Sequence, residues 1–264
     1  MDLLLNGKLA LVTGSTAGIG FAIAEGLARE GATVIVNGRS EARAAKAVEN
    51  IRQKIPQAKV EAFAGDLATL EVSEALKIRH PDLDILVNSL GIFNPQPFEE
   101  ISDDEWRRFF EVNVLSAVRL SRYYLPRMKQ RDWGRIVFIS SESAVQIPVE
   151  MIHYGFTKTA QLAISRGLAE STVGTGVTVN AVLPGPTASE GVTDFVAKLA
   201  SQTNQTASEF EKFFFEKVRP SSLLKRFATP DEVANMVVYV CSPLASATNG
   251  AALRVDGGVI RSIV

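Results

Sequence analysis

Leu9-Ala10-Leu11-Val12-Thr13-Gly14-Ser15-Thr16-Ala17-Gly18-Ile19-Gly20 is the stretch from which the fold of this chain can be read. Its first four residues form an apolar run too short for a helix and of the right length for a strand covered on both faces. Glycines at 14, 18 and 20 break the run. Beyond them Phe21, Ile23, Ala24, Leu27 and Ala28 recur at helical spacing as far as Glu30-Gly31, where the glycine ends the helix and Val34-Ile35-Val36 opens a second strand. The pattern is a βαβ unit. Its glycines permit a tight turn, let the backbone approach a diphosphate closely, and leave the N–H groups of the helix start free to face that charge.

The same alternation continues along the chain. Apolar strand-like runs occupy 59–64, 83–87, 134–139, 177–183 and 251–255, with helical patterns between them. Seven strands alternating with helices predict an α/β fold, a doubly wound, mainly parallel seven-stranded sheet with helices on both faces. No repeat, linker or low-complexity segment divides residues 1–264, so a single domain is expected. The 28 basic and 29 acidic residues leave a net charge of −1, which creates no general field for nucleic acid or an anionic membrane surface. One cysteine, Cys241, excludes an internal disulfide, and with only His80 and His153 no metal cluster is expected. A reducing, cytoplasmic setting fits that cysteine usage. Residues 1–7 lack the basic region and cleavage site of a secretory signal, and no apolar run is long enough to span a bilayer.

In Tyr154-Gly155-Phe156-Thr157-Lys158 a phenol and an ammonium stand four residues apart within a helical pattern. That spacing puts them on one face, with Cβ atoms about 5–6 Å apart. A cation at such a distance favours phenolate by about 3 kcal/mol at an effective dielectric of about 20, or roughly two units off a tyrosine pKa of about 10. Alone, such a pair is an ordinary surface contact, and its meaning depends on the rest of the chain. Asn37-Gly38-Arg39-Ser40 ends the second strand with Arg39 where an acidic residue would hold a ribose 2′-hydroxyl. A 2′-phosphate is therefore favoured, and NADP(H) is expected in preference to NAD(H), which one arginine does not exclude. Ser40 is placed to cap the following helix.

Five features in the same order resemble the short-chain dehydrogenase/reductase family, and within it the NADP-preferring 3-oxoacyl-carrier-protein reductases, over residues 8–258. They are the G-x-x-x-G-x-G turn, Asn88-Ser89-Leu90-Gly91, Asn113 within Glu111-Val112-Asn113-Val114, Ser141 thirteen residues before Tyr154, and Pro184-Gly185. The resemblance implies the doubly wound nucleotide-binding fold known as the Rossmann fold and reversible hydride transfer between nicotinamide and a ketone or secondary alcohol. It implies that Ser141 hydrogen-bonds the carbonyl oxygen, Tyr154 exchanges the proton, Lys158 lowers the tyrosine pKa and holds the nicotinamide ribose, and Asn113 positions a water leading to the lysine. Lysine supplies about two of the roughly three units needed to reach neutrality, and the charge of the oxidised cofactor is expected to supply the rest.

For the cofactor the resemblance implies a diphosphate cradle of Gly14, Ser15, Thr16, Gly18, Ile19 and Gly20, with Arg39 and Ser40 at the ribose phosphate. Asp66 would meet the adenine amino group, with Leu67 lining the ring. Asn88 and Gly91 are expected as cofactor or sheet-end contacts. Pro184 and Gly185 would support the nicotinamide carboxamide, with Thr187 near the diphosphate. Ser89 and Leu90 depart from the family's N-N-A-G pattern. Residues 188–222, with Phe195, Leu199, Phe210 and Phe213-Phe214-Phe215, correspond to the variable lid over a small-molecule substrate. A homotetramer or dimer is expected. Glu142 reads as a solvated carboxylate, and His153, about 100° around the helix from Tyr154, is assigned no chemistry. A catalytically silent NADP(H)-binding scaffold stands as the alternative. A methyltransferase would prefer an acidic residue where Gly38-Arg39 stands.

Overall fold

The structure, a computed structural model, describes residues 2–190 and 206–263. Strands β1 (Leu9–Val12), β2 (Thr33–Gly38), β3 (Val60–Ala64), β4 (Ile85–Asn88), β5 (Gly134–Ile139), β6 (Val177–Pro184) and β7 (Ala252–Val255) form one sheet in the order β3-β2-β1-β4-β5-β6-β7. Every neighbouring pair is parallel, so the sheet is wholly and not just mainly parallel. Parallel neighbours need long crossovers, and helices supply them. These are α1 (Gly18–Arg29), α2 (Glu41–Lys54), α3 (Leu70–Arg79), α4 (Asp103–Phe110), α5 (Ser116–Gln130), α6 (Ile152–Glu170), α7 (Ala207–Phe213) and α8 (Pro230–Val240).

The strands send alternate side chains to opposite faces, and each face has its own core. On one side Ile23 and Leu27 of α1, Val48 and Ile51 of α2, and Val233 and Val237 of α8 pack with Val12, Val34 and Val36. On the other, Leu76 of α3, Leu120 and Met128 of α5, and Leu162 of α6 pack with Leu11, Ile35, Leu86 and Phe138. Burying a residue such as Leu27 or Leu86, both fully buried, contributes about 1.5–3 kcal/mol. The chain leaves β1 toward one edge of the sheet and returns to β4 on its other side. A parallel sheet binds ligands beyond the carboxyl ends of its strands at such a reversal.

The helical pattern running from 102 to 125 is interrupted where the resemblance implies. Between α4 and α5 the backbone opens into a wide, π-type turn over Glu111–Leu115. Arg119 spans it, pairing with Glu111 and donating to the Ala68 carbonyl at 2.7 Å. Among the described residues no helix is long and apolar enough to cross a membrane, and no three His, Cys, Asp or Glu side chains are grouped to hold a metal ion.

Candidate active site

The turn between β1 and α1 is built by close approach. Gly14 and Gly18 adopt φ of 62° and 56°, and a Cβ on Gly20 would lie 2.4 Å from the Gly14 carbonyl oxygen. No side chain caps the start of α1, so its first N–H groups remain available to an anion. Asn37, at the end of β2, holds this turn in place. Its Oδ1 accepts from Gly14 N at 3.1 Å, and its Nδ2 donates to the carbonyls of Phe63 and Gly65 at 3.0 and 3.1 Å. Ser15 is fully buried behind the turn, donating to the Val12 carbonyl at 2.7 Å and accepting from Asn37 N at 2.9 Å.

Beside the turn lies a hollow of about 260 Å³ lined by Thr16, Arg39, Ser40, Asp66, Leu67 and Leu90, among others. It therefore collects most of the expected adenosine contacts. Ser40 caps α2 by accepting from Arg43 N, and Asp66 accepts from Ala68 N at 3.0 Å within its own turn. Leu90, the departure from the family pattern, lies against Gly14. Arg43, which drew no attention in the sequence, lines both this hollow and the main cleft. Its position one turn beyond the Ser40 cap is the signal that could have found it, because the first turn of a helix faces what its cap faces.

The main cleft, about 1070 Å³, runs over the carboxyl ends of β1, β4, β5 and β6. Gly14, Gly18, Ile19, Gly20, Gly91, Ser141, Tyr154, Lys158, Pro184, Gly185 and Thr187 all line it. Ser141 follows β5, is 8 % exposed, and accepts from Ser143 N at 3.1 Å. Ser140, beside it on the cleft wall, donates to the Lys158 carbonyl at 2.9 Å. Gly185 fits directly on the Asp256 backbone, where a Cβ would come within 2.5 Å of the carbonyl oxygen. Thr187 donates to the Gly185 carbonyl at 2.9 Å.

Three of the expected residues stand behind the walls and not on them. Ser15 is one. Asn88 is 2 % exposed and donates to Ser121 Oγ at 3.3 Å, which makes it a sheet-end residue. Asn113 is the third. From the wide turn its Oδ1 accepts from Ile92 N at 2.8 Å, while Nδ2 donates to the Ile92 carbonyl and Thr157 Oγ1, both at 3.0 Å. The amide thus ties the loop after β4 to α6. Its main-chain carbonyl accepts from Gln161 Nε2 at 2.6 Å, and Gln161 Oε1 in turn accepts from Lys158 Nζ at 3.4 Å. Gln161, which sequence reasoning missed, thus links Asn113 to Lys158.

Lys158 is 4 % exposed, and its Nζ donates to the Ile139 carbonyl at 2.8 Å and lies 5.5 Å from the Tyr154 ring centre. Burial lowers its pKa to about 7. Tyr154 is pushed up to about 12, by burial first and by the charge of Glu142, with the Ser141 hydroxyl pulling the other way. Within the protein alone the phenol is thus raised, because burial outweighs the lowering that the Ser141 hydroxyl supplies. His153 is fully buried against Trp106 and Phe109, and neither ring nitrogen has a hydrogen-bond partner among the described residues. It stays outside the site.

Glu142 corrects the sequence reading. It is 4 % exposed, not solvated, and is paired with Arg219 and Ser143 in the cleft wall. Phe210, Phe213 and Phe214 from the expected lid also line the cleft, whereas Phe195 and Leu199 lie outside the described residues.

Comparison with known proteins agrees with this geometry. Residues 14–260 match the family model described as enoyl-(acyl carrier protein) reductase. An uncharacterised oxidoreductase of Bacillus subtilis is 50 % identical over 263 residues, covering 100 % of both chains. A 3-oxoacyl-[acyl-carrier-protein] reductase of Aquifex aeolicus is 35 % identical over 98 % of this chain and 100 % of its own. Among solved structures, an L-sorbose reductase from Gluconobacter frateurii, in complex with NADPH and L-sorbose, superposes with a TM-score of 0.92 at 32 % identity over 100 % of both chains. With a glycine cradle at the switch point of a parallel sheet and a serine, tyrosine and lysine converging beside it, the chain belongs to the short-chain dehydrogenase/reductase family of oxidoreductases.

Proposed function

We propose that the protein is an NADP(H)-dependent oxidoreductase interconverting a ketone and a secondary alcohol. The observation that carries this reading is the convergence of Ser141, Tyr154 and Lys158 on one cleft that also contains the glycine cradle. The residues present fit the cofactor. The uncapped start of α1 and the close-packed Gly20 suit a diphosphate, and Arg39 with Arg43 offers two cations to a 2′-phosphate beside the hollow that suits adenosine. The L-sorbose reductase with bound NADPH supports the same choice.

When bound, the nicotinamide supplies or accepts the hydride. Ser141 donates a hydrogen bond to the substrate oxygen and holds it toward Tyr154. Tyr154 gives its phenolic proton to that oxygen in reduction and takes it back in oxidation, as a general acid and base. Lys158, fixed by Ile139 O and Gln161, lends positive charge to the phenol and a donor to the cofactor ribose. Asn113 acts from behind, setting the loop that carries Gly91 and meeting Lys158 through Gln161. In the described part of the expected lid, Phe210, Phe213 and Phe214 serve as the apolar wall over the substrate.

Tyr154→Phe is expected to lower turnover at least about 10³-fold, with NADPH binding, read by fluorescence titration, changed less than threefold. NADPH should exceed NADH in kcat/KM by about tenfold or more. Retained turnover in the variant overturns the assignment. A flat NADPH absorbance trace across a broad carbonyl panel would favour the silent scaffold.

A cytoplasmic setting accords with Cys241, free and buried. Homo-oligomeric assembly accords with an exposed aromatic patch in which Phe110 of α4 and Phe156 of α6 are 37 % and 46 % exposed with rings 6.4 Å apart.

A further inference from the structure

Ser141, Tyr154 and Lys158 account for a reaction but not for the charged groups beside them. Glu142 and Arg219 both line the cleft, yet they are only 4 % and 8 % exposed. Arg219 Nε donates to Glu142 Oε1 at 2.9 Å, and Nη1 donates to Glu150 Oε1 at 3.3 Å. Ser143 Oγ donates to the other Glu142 oxygen at 2.8 Å. These contacts leave capacity unused. A carboxylate has about four acceptor sites and a guanidinium five N–H donors. Glu142 uses one site on each oxygen, and Arg219 Nη2 has no hydrogen bond among the described residues, without being sealed from solvent.

Stability alone does not explain the cluster, because replacing a buried ion pair by apolar side chains is often neutral or stabilising. The surroundings would favour such a replacement. Phe93, Phe213, Phe214 and Phe227 line the same cleft. A charged pair kept in an aromatic wall, with donors and acceptors still open, is suited to a ligand that both donates and accepts. At the cluster itself two carboxylates, Glu142 and Glu150, share the one guanidinium of Arg219. That arrangement gives an anionic substrate no advantage. A hydroxyl group meets both demands, and the C–H faces of a polyhydroxylated carbon chain can lie on the aromatic rings.

Resting on the oxidoreductase reading, we infer that Glu142 and Arg219, with Glu150, recognise the hydroxyl groups of a neutral polyhydroxylated ketone or its polyol and determine specificity for that class. Glu142 adjoins Ser141 in the chain, so the recognised hydroxyls are those near the reacting carbonyl. Sites built to hydrogen-bond a substrate hydroxyl reject analogues lacking it by on the order of 10⁴-fold.

The test compares kcat/KM, with NADPH, for a panel of pentuloses and hexuloses against 2-pentanone and 2-hexanone. It uses wild type, Glu142→Gln, Arg219→Lys and the milder Ser143→Ala, which keeps both charges. Folding of each variant is checked by circular dichroism and NADPH binding. The best ketose is expected to exceed the matching alkanone at least 10²-fold in wild type. That ratio should fall at least tenfold in Glu142→Gln or Arg219→Lys, mainly through KM, and a few-fold in Ser143→Ala. Any general effect of the Glu142 charge on Tyr154 divides out of the ratio. An alkanone used as well as the ketoses, or a ratio unmoved in every folded variant, overturns the inference and leaves the oxidoreductase reading standing. Failure to bind NADPH and to reduce any ketone overturns both.

Discussion

Lys158 stands buried with its amine held by a carbonyl and an amide, and no carboxylate among the described residues is bonded to it. Its pKa falls from 10.5 to about 7, so between those pH values the unfolded chain binds the extra proton. Stability must then rise with pH across that window, and the cost of burying the charge is felt in full below about pH 7. Lys158→Met is expected to be more stable than wild type at pH 6 by a few kcal/mol, the difference shrinking toward pH 10, in urea unfolding followed across that range. A difference independent of pH would show that the amine is not buried as described. Tyr154 and Lys158 were legible from their spacing because a helix enforces it. Their electrostatics were not, since desolvation depends on what covers them. Glu142 was misread for the same reason. Its partner, Arg219, lies 77 residues away in the chain, and no local pattern links the two.

The β1-turn-α1 element was readable because its demands are local. A strand, three glycines and an amphipathic helix need no distant partner to be recognised. What tightens the element came from elsewhere: Asn37 bridges the turn to the carbonyls of Phe63 and Gly65 at the end of β3. Gly20→Ala places a methyl 2.4 Å from the Gly14 carbonyl oxygen, a contact between backbones that can be relieved only by moving the turn. NADPH affinity should fall at least about tenfold, or 1.4 kcal/mol, while far-ultraviolet circular dichroism stays unchanged. Affinity equal to wild type would exclude the turn as the diphosphate site. The wide turn between α4 and α5 is the opposite case. Val112, Asn113 and Val114 continue a helical pattern, and only the resemblance marked the interruption that aims Asn113 at Ile92.

At the scale of the molecule, seven strands and their order of appearance were legible from the alternation of apolar runs. The order within the sheet, with β1 and β4 at its middle, rests on pairings that no single segment encodes. Assembly of whole chains offers a further check. If Phe110 and Phe156 form an interface, Phe156→Asp should shift the mass measured by light scattering toward the monomer and leave the thermal unfolding of each protomer cooperative. An unchanged mass would place any interface elsewhere. The parallel sheet also has a consequence in time. Leu9 is bonded to Asp84, 75 residues later, so the inner edge of β1 has no partner until that much more chain has been made. At synthesis rates of about 5–20 residues per second, the nascent protein must keep the edge of Leu9–Val12 unpaired for roughly 4–15 s, and it is during that interval, before the two halves meet, that the chain is most open to pairing with a neighbour.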